Sequence, residues 1–124
     1  MTRPFVILWM IFNHIVDDYY LQGWLASAKQ KSWWEKNAPD RMYKYDYIWA
    51  LIMHSFSWSF MITMPVIYFC FPEIDFRFII IFILNIVFHA LVDNAKANWK
   101  LINLWQDQLI HMVQIVATAI MLYI

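Results

Sequence analysis

Four apolar stretches divide this chain, at residues 4–22, 47–71, 76–92 and 101–124, and each approaches the ~20 residues that a helix needs to cross the hydrocarbon core of a bilayer. Their patterning is continuous rather than alternating. Runs such as Val6-Ile7-Leu8-Trp9-Met10-Ile11-Phe12 and Phe78-Ile79-Ile80-Ile81-Phe82-Ile83-Leu84 are too long for half-buried strands. A chain of 124 residues with 63% apolar side chains, 20% aromatics and a single glycine could not hide that surface in water, because a short chain buries too small a share of it. The expected fold is therefore all-α: one polytopic membrane domain over residues 1–124, a bundle of four transmembrane helices at about 4–22, 47–71, 76–95 and 101–124, with an interfacial connector at 23–46.

The boundaries carry turn signals. Phe71-Pro72-Glu73-Ile74-Asp75 separates the second and third stretches, and Asp93-Asn94-Ala95-Lys96-Ala97-Asn98 the third and fourth. Pro65, inside the second stretch, predicts a kink. Arg3, the apolar run after it and Ala26-Ser27-Ala28 mimic a cleaved signal, but His14, Asp17 and Asp18 interrupt the pattern and the small residues come too late. In the connector, Trp24, Trp33, Trp34, Lys29, Lys31 and Lys36 suggest an amphipathic stretch in the headgroup layer, with Lys29 and Lys31 solvated or touching lipid phosphate. The first and third connectors hold Lys29, Lys31, Lys36, Arg41, Lys44, Lys96 and Lys100, against only Arg3 and Arg77 on the other side. That asymmetry places the connectors in the cytosol and both termini outside.

Zero net charge gives no footprint for nucleic acid, and one cysteine, Cys70, excludes an internal disulfide framework and reads as a small buried residue. The scattered methionines read as packing, and Ser55, Ser57 and Ser59 as bonding backbone carbonyls or allowing close helix contact rather than as nucleophiles.

The histidines are distributed one to a helix: His14, His54, His89 and His111. At ~1.5 Å rise per residue, all four lie on the order of 10 Å beneath the cytosolic boundary. His14 with Asp18, His89 with Asp93, and Asp107 with His111 are spaced i, i+4 and share a helix face. Gln22, Asn85, Gln108 and Gln114 extend those faces. Such residues are costly in lipid and should point inward. Imidazole and carboxylate together suit a divalent metal, zinc first and manganese or iron as alternatives. The expected ligands are His14, Asp18, His54, His89, Asp93 and His111, with Gln22, Asn85 and Gln108 orienting them. A bound ion could lower the pKa of a coordinated water, leaving Asp107, with Asp17 in reserve, as general base. Asp17 lies about 100° from Asp18 around a regular helix and should face another helix or the headgroups. Seven candidates exceed what one zinc ion needs, so either two metals bind or some of these residues only orient the ligands.

The run His14-Ile15-Val16-Asp17-Asp18-Tyr19-Tyr20-Leu21-Gln22, then Ala28-Lys29, a lone His54, His89-Ala90-Leu91-Val92-Asp93 and Asp107-Gln108-Leu109-Ile110-His111 resembles a small, uncharacterised family of bacterial and phage inner-membrane proteins, over nearly the whole chain. More distantly, it looks like the membrane-bound metal-dependent hydrolases, which also place His and Asp on successive transmembrane helices. It departs from them in having no Arg beside His54. These resemblances imply a multi-pass protein of the inner (cytoplasmic) membrane. The leading expectation is a metal-dependent hydrolase acting on a membrane-lipid phosphoester or ester near the cytosolic face. The alternative is a non-enzymatic phage or bacterial protein that binds a host membrane partner or modifies the envelope, its His/Asp layer purely structural. A carrier or channel ranks last, because residues 61–71 and 116–124 are almost wholly apolar, although a homo-oligomer could line a path that one chain cannot.

Overall fold

A computed structural model describes residues 3–70 and 74–123. Among these the protein is helical with no strand, in agreement with the all-α expectation. The elements are α1 (Arg3–Ile15), continued by a π-helical segment Val16–Leu21, then α2 (Leu25–Ala28), α3 (Lys31–Asn37), a 3-10 turn Arg41–Tyr43, α4 (Asp46–Cys70), α5 (Phe76–Ala97) and α6 (Leu104–Tyr123). The expected turn residues Phe71, Pro72 and Glu73 and the Cys70 side chain lie outside the described residues.

Local chemistry sets the ends of these helices. Gly23 breaks the π segment at φ 55°, a left-handed conformation that glycine adopts without steric cost. Asp75 caps α5, its carboxylate accepting from the Phe78 amide at 3.0 Å. The α5 helix runs past the expected end because Asp93 and Asn94 are helical and bonded. Lys100 then takes φ 57°, and the Leu101 amide returns to the Ala95 carbonyl at 2.9 Å, closing the helix. The start of α6 is delayed to Leu104 by a reciprocal cap, in which Asn103 accepts from the Gln106 amide at 2.9 Å and Gln106 from the Asn103 amide at 3.0 Å.

The helices close into a four-membered bundle: α1 packs on α4 and α6, α4 on α5, and α5 on α6. Val6, Met10, Trp58, Ile62, Val66, Ile81 and Ile115 form an apolar core. Arg77 donates to the Met121 carbonyl, tying the start of α5 to the end of α6. The α4 helix continues through Pro65, whose missing N–H deprives the Met61 carbonyl of its usual partner. Asn13 of α1 supplies the replacement, donating to Met61 O at 2.8 Å. Asn13→Ala is expected to lower stability by ~1–2 kcal/mol through that unsatisfied carbonyl. A denaturation midpoint unchanged from wild type would show that the carbonyl finds another donor.

Four membrane-crossing helices were expected, and among the described residues two are apolar enough to cross by length and composition: Arg41–Phe69 and Phe76–Ala97. The other two fall short for local reasons. The regular part of α1 has only 13 residues, and α6 carries Gln106, Asp107, Gln108, His111 and Gln114 between its start and its middle. The connector does not lie as a free strip. Trp24, Trp33 and Trp34 pack edge to face with centroids 5.0–5.9 Å apart, and Tyr43 stacks on Trp34. Asn98 pins this cluster to the end of α5 by donating to the Lys29 carbonyl at 2.9 Å and accepting from the Lys31 amide at 2.6 Å.

Candidate metal centre

All four histidines are buried, at no more than 1% exposure, and with Asp17, Asp93 and Asp107 they form one polar layer inside the bundle. The shared depth expected from their positions is realised as direct contact. His54 and His89 have ring centroids 5.2 Å apart, and His89 stacks on His111 at 4.1 Å.

The π-helical segment determines how the first helix contributes. Widening the helical turn brings both Asp17 and Asp18 toward α4, where a regular helix would splay them. Asp18 presents Oδ1 to His54 Nε2 at 3.0 Å and to His89 Nε2 at 3.9 Å. Asp17 stands behind the same imidazole, its Oδ2 3.7 Å from His54 Nδ1 and its Oδ1 accepting from Ser57 Oγ at 2.6 Å. Asp17 thus faces another helix and is placed to orient His54 from the rear, as carboxylates do behind metal-bound histidines, rather than to act as a base on the ligand side. Ser57 bonds this carboxylate and not a backbone carbonyl.

Asp93 is the hub. Its Oδ2 lies 3.4 Å from His54 Nε2 and 3.5 Å from His89 Nε2, and its Oδ1 lies 3.2 Å from His111 Nε2. Two groups of side chains could hold a metal ion: Asp18, His54 and His89, and His89, Asp93 and His111. Ligand atoms bound at ~2.0–2.1 Å in a tetrahedron lie roughly 3.3–3.4 Å from one another. The four carboxylate–imidazole separations among Asp18 Oδ1, His54 Nε2, Asp93 Oδ2 and His89 Nε2, at 3.0, 3.4, 3.5 and 3.9 Å, bracket that value. Imidazole and carboxylate donors at these separations could hold a metal ion, and nothing in them selects which.

His14, also expected as a ligand, belongs to neither group, and its hydrogen bonds explain why. Trp58 Nε1, which can only donate, bonds His14 Nδ1 at 2.7 Å, so His14 Nε2 carries the proton and donates to Gln108 Oε1 at 2.8 Å. Gln108 in turn donates to Asp107 Oδ2 at 2.9 Å. Both nitrogens of His14 are thus committed, and it orients Asp107 through Gln108. Asp107 also approaches Lys96 Nζ at 3.5 Å, while its buried Oδ1 receives no hydrogen bond and lies 3.2 Å from His111 Nε2.

The remaining orienting residues divide. Gln114 Nε2 donates to the Asn85 carbonyl at 3.1 Å and to Asn85 Oδ1 at 2.8 Å, which turns its Oε1 toward His111 Nδ1 at 3.4 Å. A His111 with its only proton on Nδ1 aims the Nε2 lone pair at two carboxylate oxygens, whereas a proton on Nε2 is donated to Asp93 Oδ1 at 3.2 Å. Asn85 reaches the centre only through this relay. Gln22 does not reach it, donating instead to the Asp18 backbone carbonyl at 2.9 Å.

Two participants lie outside the expected set. Trp58, four residues after His54, stacks on His89 at 4.1 Å while holding His14. Lys29, expected in solvent or on lipid phosphate, is 8% exposed and donates to Asp93 Oδ2 at 3.0 Å, bringing α2 down onto the layer. The i, i+4 spacing of His54 and Trp58 was a usable signal; Lys29 stood out only within the Ala28-Lys29 pair of the resemblance, with no periodicity to place it in the layer. Compared with known protein families, with curated proteins and with solved structures, the chain matches none, so its functional reading rests on this geometry.

Proposed function

We propose that the chain is an integral membrane metalloprotein holding a divalent cation between Asp18, His54, His89 and Asp93, and that it hydrolyses a phosphoester or ester of a membrane lipid near the cytosolic face. The observation that carries the metal is His89. Its ring is wholly buried, neither nitrogen has a hydrogen-bond partner among the described residues, and Nε2 faces two carboxylates. An unpartnered buried imidazole costs on the order of 1–3 kcal/mol, which coordination offsets. Charge supports the same reading. Asp17, Asp18, Asp93 and Asp107 face only Lys29 and Lys96, so with neutral histidines four negative charges meet two positive ones, and one divalent ion balances the layer.

The membrane placement is supported by an inverted surface. Leu8, Phe12, Met53, Leu84, Val87 and Val113 are about half exposed or more, while the titratable residues of the layer are buried. In lipid, α1 with its π segment and α6 complete a set of four crossings, since 19 and 20 residues span roughly 28–30 Å. When bound, the ion would polarise the ester and activate water; the protein's part is to orient the ligands from behind through Asp17, Gln108 and Gln114 and to offer Asp107 Oδ1 as a proton acceptor.

A structural role is favoured by one observation, the Lys29 ammonium already seated on Asp93. Protons on two histidines would then balance the charge without metal, and the layer would serve as interhelical glue. Elemental analysis of detergent-purified protein separates the readings. The expected result is at least ~1 equivalent of zinc, manganese or iron in wild type, lost in His89→Ala and His54→Ala that still elute as folded protein. No metal in wild type, even after incubation with each of the three ions, leaves the layer as glue.

A further inference from the structure

The proposed ion would use only one oxygen of Asp93 and leave a second set of acceptors unassigned. Asp93 Oδ1 and Asp107 Oδ1 each lie 3.2 Å from His111 Nε2. All three side chains are at least 97% buried. With His111 neutral and its proton on Nδ1 toward Gln114 Oε1, the Nε2 lone pair meets two carboxylate oxygens, none of which can donate to another; with a proton on Nε2, His111 donates to Asp93 Oδ1 at 3.2 Å. Asp107 Oδ1 has no hydrogen bond at all. The neighbouring cations do not fill this gap, because Lys96 approaches Asp107 on Oδ2 and Lys29 approaches Asp93 on Oδ2. These converging, buried atoms are satisfied either by a second proton on His111 or by a metal ion seated among them.

We infer that Asp93 Oδ1, Asp107 Oδ1 and His111 Nε2 form a second divalent-cation site, so that the Asp93 carboxylate bridges two ions. This rests on the metal reading above and extends it. Asp107 thereby changes from free base to ligand, and His111 joins the second ion while His54 and His89 keep the first. With both ions bound, the layer's four negative charges meet six positive ones. That surplus suits an anionic phosphoester better than a neutral carboxyl ester as the substrate class.

The test is manganese binding to the full chain in detergent, read both as stoichiometry and by electron paramagnetic resonance. A bridged pair is expected to give about two equivalents, with a spectrum broadened by exchange coupling. In Asp107→Asn, which keeps an oxygen for Gln108, about one equivalent should remain with the resolved hyperfine pattern of an isolated ion. About one uncoupled equivalent in wild type, unchanged in Asp107→Asn, overturns the second site and leaves the first intact. No binding at all removes the metal reading itself. Wild-type stoichiometry and coupling decide the matter even should the variant fail to fold.

Discussion

Asp93→Ala is expected to destabilise the protein by about 3–5 kcal/mol and to abolish metal binding together. Asp93 engages Lys29 at 3.0 Å, His111 at 3.2 Å, His54 at 3.4 Å and His89 at 3.5 Å, drawing on three helices and the connector. Removing the carboxylate strands the nearly buried Lys29 ammonium, and the cost of an uncompensated buried charge exceeds the worth of any one contact. The measurement is a chemical denaturation midpoint in detergent without added metal, beside the metal content of the same sample. The double variant Asp93→Leu with Lys29→Met should recover much of the lost stability without recovering metal, because the stranded charge is gone while the ligand is still missing. A loss below ~1 kcal/mol for Asp93→Ala would mean that Lys29 snorkels out to water at little cost, and that the connector is not anchored through this pair.

The helices and the polar layer were readable because both rest on local periodicity. Continuous apolar runs marked α4 to within a residue at each end and the start of α5, which runs five residues past its apolar stretch, and i, i+4 spacing brought Asp93 with His89 and Asp107 with His111 onto inward faces. What could not be read depended on departures from regular geometry or on hydrogen-bond direction. The π segment turns Asp17 and Asp18 inward on either side of His54, whereas regular helical angles separate them. His14 looks like any other layer histidine until Trp58 claims its Nδ1, a contact between residues 44 apart in sequence. Lys29 sits in a connector whose lysines and tryptophans suit a headgroup layer, and only the bonds from Asn98 turn it onto Asp93. The apolar content of α1 and α6 was overread for a related reason: each shares its length with part of the polar layer.

Lys29→Met is expected to raise divalent-cation affinity by roughly tenfold to a hundredfold, or ~1.4–2.8 kcal/mol. The ammonium lies 3.0 Å from Asp93 Oδ2, one of the four atoms assigned to the proposed first ion, so it competes for that oxygen and repels the ion. Removing one positive charge ~4 Å from a divalent ion is worth at most ~8 kcal/mol at an effective dielectric of about 20, and the chain's freedom to draw the ammonium aside trims that bound. The sign for the metal-free protein is opposite. Asp93 then keeps its charge without its lysine, and the metal-free form should lose stability. The same substitution therefore lowers the unfolding midpoint without metal and enlarges the rise produced by manganese, a pair of shifts that loss of packing alone would not give. Affinity can be read by competition with a fluorescent chelator, and the midpoints by thermal melts with and without manganese. An affinity equal to wild type would show that Lys29 stays on Asp93 when the ion binds, making it a fixed part of the centre rather than the cation that the metal displaces.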